Sequence, residues 1–284
     1  MKSICSGWAL FLFALLTFIT VSPNAVAGSY YYGISDDNQV HQVDLDSYVD
    51  TIVFDPKVTG ITNGVAWDET NGRLFYRVAE NGGLYTWNRA TNTQQILGGA
   101  ALYGFNSNAA FYNGAYWYIA DNTDILVRAV LDFSNANKPQ VLFTQEFSNF
   151  DGTSRSQFLF GDITISNFGV LYASSNYGLF SVSVPGVPSQ AFQLINDQLG
   201  TKQIALDLSQ TLLYGHDHAT GGWSTISLTG VETPLESSPG TQFWSRPLRD
   251  ISDVAFGEEV PEPAAWQLIL AGAVCFAIAR VRRT

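Results

Sequence analysis

The sequence predicts an all-β protein, a β-propeller of five four-stranded blades that is closed by strands from both ends of the chain. The first observation is a repeated unit of four short apolar segments separated by Gly, Asn and Asp turns. The second is the repeat length, because the first strands begin at residues 65, 109, 163, 204 and 254, and repeats of about 40–50 residues are typical of propeller blades. The third is composition, since 14% aromatic residues, 25 glycines and only 14% charged residues indicate a packed β-rich fold.

The first two strands of each unit carry the clearest repeat. Each predicted first strand places a larger side chain after a small or short one, as in Val65-Ala66-Trp67. Each predicted second strand has a tyrosine at its third position, and these are Tyr32, Tyr76, Tyr118, Tyr172 and Tyr214. Units that share such positions are expected to form equivalent strands in a ring.

The remaining strands complete one domain, predicted to span residues 28–257. Third strands are predicted at 40–45, 84–87, 126–130, 179–184 and 223–228, and fourth strands at 51–54, 94–97, 140–143, 191–195 and 232–235. Many of these strands are apolar at consecutive positions, which suits blades that stack face to face and bury both surfaces. A ring of four or six blades and an open β-sandwich are the alternatives.

The fifth blade is predicted to be shared between the two ends of the domain. Its inner strand is predicted at residues 254–256, and its three outer strands at residues 30–54. An open ring would leave unpaired strand edges, so this shared blade is expected to close the propeller.

The first 27 residues have the pattern of a secretory signal peptide. Lys2 precedes an apolar run at residues 8–21, and Ala25 and Ala27 form an A-x-A site before Gly28. We therefore expect signal peptidase to cleave before Gly28. The two cysteines, Cys5 and Cys275, lie in the terminal apolar segments, so the predicted propeller contains no cysteine and no disulfide stabilises it.

The last 27 residues have a different character. A linker at residues 258–263 contains Val260-Pro261-Glu262-Pro263, an apolar segment at 264–279 is predicted to be a transmembrane helix, and a basic tail at 280–284 contains Arg280, Arg282 and Arg283. The arginines predict a cytoplasmic C-terminus. This order of Pro-Glu-Pro, short helix and Arg-rich end resembles the PEP-CTERM sorting signal of Gram-negative bacteria.

The resemblance implies processing by an exosortase. The precursor would be anchored in the inner membrane, cleaved near Pro261–Pro263, and then placed at the cell surface or in the extracellular matrix. PEP-CTERM proteins are associated with exopolysaccharide and biofilm matrix, which makes polysaccharide a candidate partner. The resemblance covers only the C-terminal segment and does not identify the activity of the propeller.

The charge of the predicted propeller disfavours nucleic acid as a partner. The propeller and the adjoining linker, residues 28–263, carry all 25 acidic residues of the chain but only ten of the 14 Lys and Arg residues. Such an acidic surface repels phosphate backbones. Cations and neutral partners that stack on aromatic rings are compatible with it.

Four polar residues occupy equivalent places immediately before the predicted inner strands, namely Asn108, Asp162, Gln203 and Asp253. A ring would bring them toward one mouth of the central channel. Two interpretations stay open. They cap strand ends, as Asp and Asn do in turns, or they provide oxygen ligands for a hard cation such as calcium.

His216 and His218 form the one pair with metal-like spacing, because residues two apart on a strand face the same side. A third ligand would be needed, and a solvated turn is the alternative interpretation.

The sequence contains no recognisable catalytic motif. Two main functional classes are predicted, and a sensor or assembly partner is a third possibility. The first is a non-enzymatic binding or structural module of the cell surface or matrix. The second is an extracytoplasmic lyase or hydrolase acting on sugars or lactones, with a metal at the channel mouth.

Overall fold

The structure is a computed structural model that describes residues 29–45, 50–121, 123, 125–135, 138–148, 161–184, 191–235, 248–252 and 255–256. These residues belong to one compact unit, Ser29–Phe256. The predicted signal peptide, Pro-Glu-Pro linker, transmembrane helix and basic tail lie outside the described residues, as does Asp253. Within the described ranges, no helix has the length and apolarity needed to cross a membrane.

The described part of the chain contains 22 strands. They are β1 (Ser29–Ser35), β2 (Val40–Asp44), β3 (Asp50–Phe54), β4 (Thr62–Asp68), β5 (Arg73–Val78), β6 (Leu84–Asn88), β7 (Thr93–Ile96), β8 (Gly98–Gly99), β9 (Ala110–Tyr112), β10 (Ala115–Ile119), β11 (Ile125–Asp132), β12 (Gln140–Ser148), β13 (Asp162–Ile165), β14 (Val170–Ser175), β15 (Gly178–Ser183), β16 (Gln193–Asn196), β17 (Gln203–Leu206), β18 (Leu212–His216), β19 (Trp223–Ser227), β20 (Glu232–Pro234), β21 (Leu248–Ile251) and β22 (Ala255–Phe256).

The strands form five antiparallel blades, which confirms the predicted five-bladed propeller. Blade 1 has the order β21-β1-β2-β3, with β22 also paired to β1. Blade 2 is β4–β7, blade 4 is β13–β16 and blade 5 is β17–β20. Blade 3 is β9–β12, with the short β8 added in parallel to its outer strand. The inner strands β4, β9, β13, β17 and β21 contact one another in sequence, and β21 contacts β4, so the ring is closed.

The core consists of five apolar clusters, one between each pair of neighbouring blades. Every blade therefore buries both faces of its sheet, which explains why the strands lack an alternation of apolar and polar residues. Of the repeated tyrosines, Tyr32, Tyr76 and Tyr118 are fully buried and Tyr172 is nearly so, whereas Tyr214 is half-buried. The aromatic repeat in the sequence marks the contacts between blades.

The inner strand of blade 1 differs from the prediction. Its main part is Leu248–Ile251, which pairs Ile251 with Gly33 and Asp250 with Ile34. Ala255 and Phe256, the described residues of the predicted segment, also pair with β1. The sequence pattern did not predict a strand at 248–251, because the adjacent charged residues Arg249 and Asp250 differ from the apolar pattern of the other inner strands. Both charges have tertiary partners that the sequence does not reveal, because Arg249 binds residues of blades 1 and 2 and Asp250 binds backbone of blade 2.

Candidate functional site

The channel has two ends, and the structure fills them differently. The strand-start end is formed by the first residues of the inner strands. The hairpin end is formed by the turns that join the inner strand to the second strand in blades 2 to 5. The sequence predicted a site at the strand-start end.

The described members of the predicted polar ring are buried at the strand-start end. Asp162 accepts hydrogen bonds from the backbone N–H of Ile163 (2.8 Å) and from that of Ile204 in the next blade (3.0 Å). Asn108 exchanges two hydrogen bonds with the backbone of Ile119 in its own blade, at 2.8 and 2.9 Å. Gln203 is 7% exposed. Asp162 and Asn108 thus bind the backbone of the blades, as strand caps do.

Asp250 is the counterpart of Asp162 in blade 1, a role that the sequence analysis gave to Asp253. Its carboxylate accepts hydrogen bonds from the backbone N–H of Ile251 (3.1 Å) and from that of Val65 in blade 2 (2.6 Å). Burial raises the pKa of Asp250 well above its usual value, and the backbone hydrogen bonds only partly offset this. The signal was present as Asp-Ile-Thr at 162–164 and Asp-Ile-Ser at 250–252.

Buried polar side chains also fill the strand-start end between blades 2 and 3. Arg77 is 2% exposed and donates to the carbonyl oxygens of Gly104 (2.7 Å) and Gly82 (3.1 Å) and to the side chain of Asn106 (3.0 Å). The Tyr116 hydroxyl donates to the carbonyl oxygen of Gly64 at 2.6 Å. These contacts are made between protein groups and stabilise the blade interface.

His216 and His218 lie in different environments. His216 ends strand β18 and is fully buried, with its ring edge-on to Trp223 at 4.7 Å between ring centroids. His218 lies beyond the strand in a turn, with its side chain 45% exposed and Nδ1 3.2 Å from the carbonyl oxygen of Leu248. Among the residues that the structure describes, no three His, Cys, Asp or Glu side chains form a metal-binding group.

Burial, together with the nearby His218, lowers the pKa of His216 to about 3. Unfolded chains take up a proton at this residue below a pH of about 6.5, whereas the folded protein does not until about pH 3. The stability contribution of neutral His216 is therefore complete above that unfolded pKa and is lost as the pH falls. Neither ring nitrogen has a hydrogen-bond partner among the described residues.

We expect His216→Phe to reduce acid sensitivity. Between pH 7 and 4.5 the parent should lose about 2–3 kcal/mol more free energy of unfolding than the variant, because the variant has no proton to bind at this position. Urea melts at both pH values measure the difference, with His218→Gln as the control. Equal losses in parent and His216→Phe would contradict the assignment.

The main cavity lies at the hairpin end. It has a volume of about 590 Å³ and is formed by the inner-strand ends and hairpins of blades 2, 3, 4 and 5. The sequence predicted turns at 70–72, 112–114 and 167–169, and the ring brings one residue or more of each to this single cavity. No function was assigned to these turns from the sequence. Turns can be recognised from a few neighbouring residues, but their meeting in one cavity depends on how the ring closes.

Side-chain carboxylates hold two of these hairpins in shape. Asp68 in blade 2 accepts hydrogen bonds from the backbone N–H and the side-chain amide of Asn71, at 3.2 and 2.7 Å. Asp207 in blade 5 accepts from the backbone N–H groups of Thr211 (2.7 Å) and Leu212 (2.9 Å). Such internal hydrogen bonds make the rim of the cavity a preorganised surface.

The Asp207 carboxylate gives the cavity a lasting negative charge. Burial by itself would raise the pKa of Asp207, but hydrogen bonds from Ser209, Leu212 and Thr211 outweigh burial and hold the pKa below its usual value. Asp207 is therefore ionised at neutral pH. No Lys, Arg or His is among the described residues that line this cavity, so its polar groups are carboxylates, amides and hydroxyls.

A second depression continues from the cavity between blades 3 and 4. Its volume is about 270 Å³, and it shares Tyr112 and Asn113 with the main cavity. Trp117, Arg128 and Gln145 occupy neighbouring positions across strands β10, β11 and β12 and line this depression. Aromatic rings and polar groups thus extend from the channel outward across blade 3.

The described residues define a five-bladed β-propeller, and one comparison supports the fold. The chain is similar to a chain in a crystal structure of a nidogen/laminin complex, with a TM-score of 0.52 and 11% sequence identity. The match covers 83% of this chain and 83% of that chain. No protein-family model matches the sequence, and neither does any curated protein.

Proposed function

We propose that this protein is an exported, non-enzymatic binding module of the cell surface or extracellular matrix. The observation that carries the proposal is the hairpin-end cavity, in which four blades contribute aromatic and polar side chains to a rigid rim. Concave sites with apolar walls and a few oriented polar groups are typical ligand sites. The similar propeller fold comes from a structure described as a complex of nidogen and laminin, which is consistent with a binding role.

The burial of the carboxylates at the strand-start end favours a binding module over the metal-dependent lyase or hydrolase. That enzyme would need the polar ring to face an open channel mouth. Instead, the described carboxylates there, Asp162 and Asp250, are fully buried and direct their oxygens at backbone N–H groups of neighbouring blades.

The binding role predicts that Tyr112→Ala weakens ligand binding. The change removes a half-buried ring shared by both depressions and should lower affinity at least tenfold, or about 1.4 kcal/mol. The exported protein is assayed against immobilised polysaccharides and matrix proteins, with the exposed Tyr103→Ala, outside both depressions, as the matched control. Binding that survives Tyr112→Ala unchanged would contradict a ligand site in this cavity.

Export and sorting are proposed from the terminal segments. The Ala25–Ala27 site supports release by signal peptidase, and Pro261-Glu262-Pro263 with the apolar segment and terminal arginines supports recognition by an exosortase. Intact-mass analysis of the exported protein should show a chain that begins at Gly28 and lacks residues 264–284 in an exosortase-positive host. In a host without the exosortase, the C-terminal segment should be retained. Retention in both hosts would remove the sorting proposal.

A further inference from the structure

The two depressions at the hairpin end form one elongated surface. Tyr112 and Asn113 line both of them, so a ligand can pass from the channel axis over the hairpin of blade 3 and into the space between blades 3 and 4. Along this line the half-buried ring of Tyr112 is available as an apolar platform, whereas Trp117 is 4% exposed and the Phe111 ring stacks on that of Phe75. An elongated surface of this kind suits a linear polymer better than a single small molecule.

Arg128 lines the second depression, and its guanidinium group has no hydrogen-bond acceptor among the described residues. Its guanidinium carbon is 5.7 Å from the centroid of the Trp117 ring, and its Nε is buried with no hydrogen-bond partner among the described residues. No ion pair joins it to any residue that the structure describes. The Nε of Arg77 is also buried without a partner among the described residues, but Arg77 and Arg249 each donate other N–H groups to backbone carbonyl oxygens and to side chains. Arg128 as a whole is half-buried, but a buried N–H group such as its Nε is costly without an acceptor, so a ligand oxygen at this position would be favourable.

The charges of the surface restrict the class of ligand. The main cavity contains Asp207, which is ionised, and the predicted propeller with its linker, residues 28–263, carries 25 acidic residues against ten basic ones. A polyanion would be repelled by this field. A polycation would meet the unpaired Arg128. Sugar hydroxyls both donate and accept hydrogen bonds, and the faces of pyranose rings pack on aromatic side chains.

We propose that the main cavity and the second depression form one binding surface for a neutral linear polysaccharide, with Arg128 donating hydrogen bonds to sugar oxygens in the second depression. This inference rests on the proposed binding function. It adds the ligand class, the length of the occupied segment and a specificity-determining residue.

The test compares chain length and charge. Calorimetry on the exported protein uses a neutral gluco-oligosaccharide as disaccharide and as hexasaccharide, together with polygalacturonate and a glucosamine polymer. We expect the hexasaccharide to bind at least tenfold more tightly than the disaccharide, and both charged polymers to bind more weakly. Arg128→Met should remove most of the gain in affinity from the disaccharide to the hexasaccharide.

Arg73→Met is the matched control, because Arg73 also lies over an aromatic ring, that of Phe133, but outside both depressions. If Arg128→Met lowers the melting temperature, Arg128→Lys retains the charge and the stem and should still lose part of the length effect. Equal affinity for both neutral oligosaccharides, or no effect of either substitution, would overturn the inference. Preferential binding of a charged polymer that is lost in Tyr112→Ala would overturn the ligand class and leave the proposed function standing. If Tyr112→Ala leaves the binding of every polymer unchanged, the proposed function itself is refuted.

Discussion

Deletion of residues 28–54 is expected to abolish cooperative unfolding of the propeller. The deletion removes β1, β2 and β3, and leaves β21 without the strand with which it pairs. It also exposes the faces of blades 2 and 5 that pack on blade 1, where two of the five apolar clusters lie. Circular dichroism during heating measures the result. A cooperative melt close to that of the parent would contradict ring closure by this blade.

A circular permutant is the control that separates closure from chain connectivity. Ser29 pairs with Phe256 in the antiparallel β1–β22 ladder, so a short turn can join these two residues. New termini between Phe54 and Asp55 would leave all four main strands of blade 1 in place. We expect this permutant to fold and melt cooperatively, because the noncovalent pairing of β21 with β1 is retained. Unfolding of the permutant would show that strand order along the chain matters more than closure.

Tyr76→Ala is expected to lower the free energy of unfolding by about 3–5 kcal/mol. Tyr76 is fully buried between blades 1 and 2, and its ring stacks on that of Tyr85 with centroids 5.7 Å apart. Truncation leaves a cavity that the two rigid sheets cannot close. Chemical denaturation measures the change, and the exposed Tyr103→Ala should stay within about 0.5 kcal/mol of the parent. A loss below 1 kcal/mol for Tyr76→Ala would contradict this packing.

Two phenylalanine substitutions separate the ring from its hydroxyl. The Tyr76 hydroxyl is buried without a hydrogen-bond partner among the described residues, so Tyr76→Phe should be neutral or stabilising. The Tyr116 hydroxyl donates to the Gly64 carbonyl oxygen and accepts from the Asn106 side chain. Tyr116→Phe removes the donor to the Gly64 carbonyl oxygen and leaves the Asn106 amide with its other acceptor, the Asn108 carbonyl oxygen, and should cost about 1–3 kcal/mol. Equal changes in the free energy of unfolding for the two variants would contradict this difference in hydrogen bonding between the two hydroxyls.

The candidate site was predictable only in part. Asp162 and Asn108 were placed correctly near the starts of the inner strands, but their side chains cap backbone groups at buried positions. A sequence cannot distinguish a cap from a ligand, because both use the same oxygens and the difference is where the neighbouring blade places its N–H groups. The burial of His216 against Trp223 is likewise a property of the interface between blades.

The amino-acid sequence by itself determined the strands and their grouping into blades. Turn chemistry, apolar runs and the repeated tyrosines are local or periodic signals, and the strands predicted for blades 2 to 5 match those observed to within a few residues. Only the tertiary structure decided the inner strand of blade 1, because Arg249 and Asp250 become suitable for a buried strand through partners 185 to 213 residues away. It also decided that the hairpin end holds the cavity, since closing the ring brings together turns that are separated along the chain.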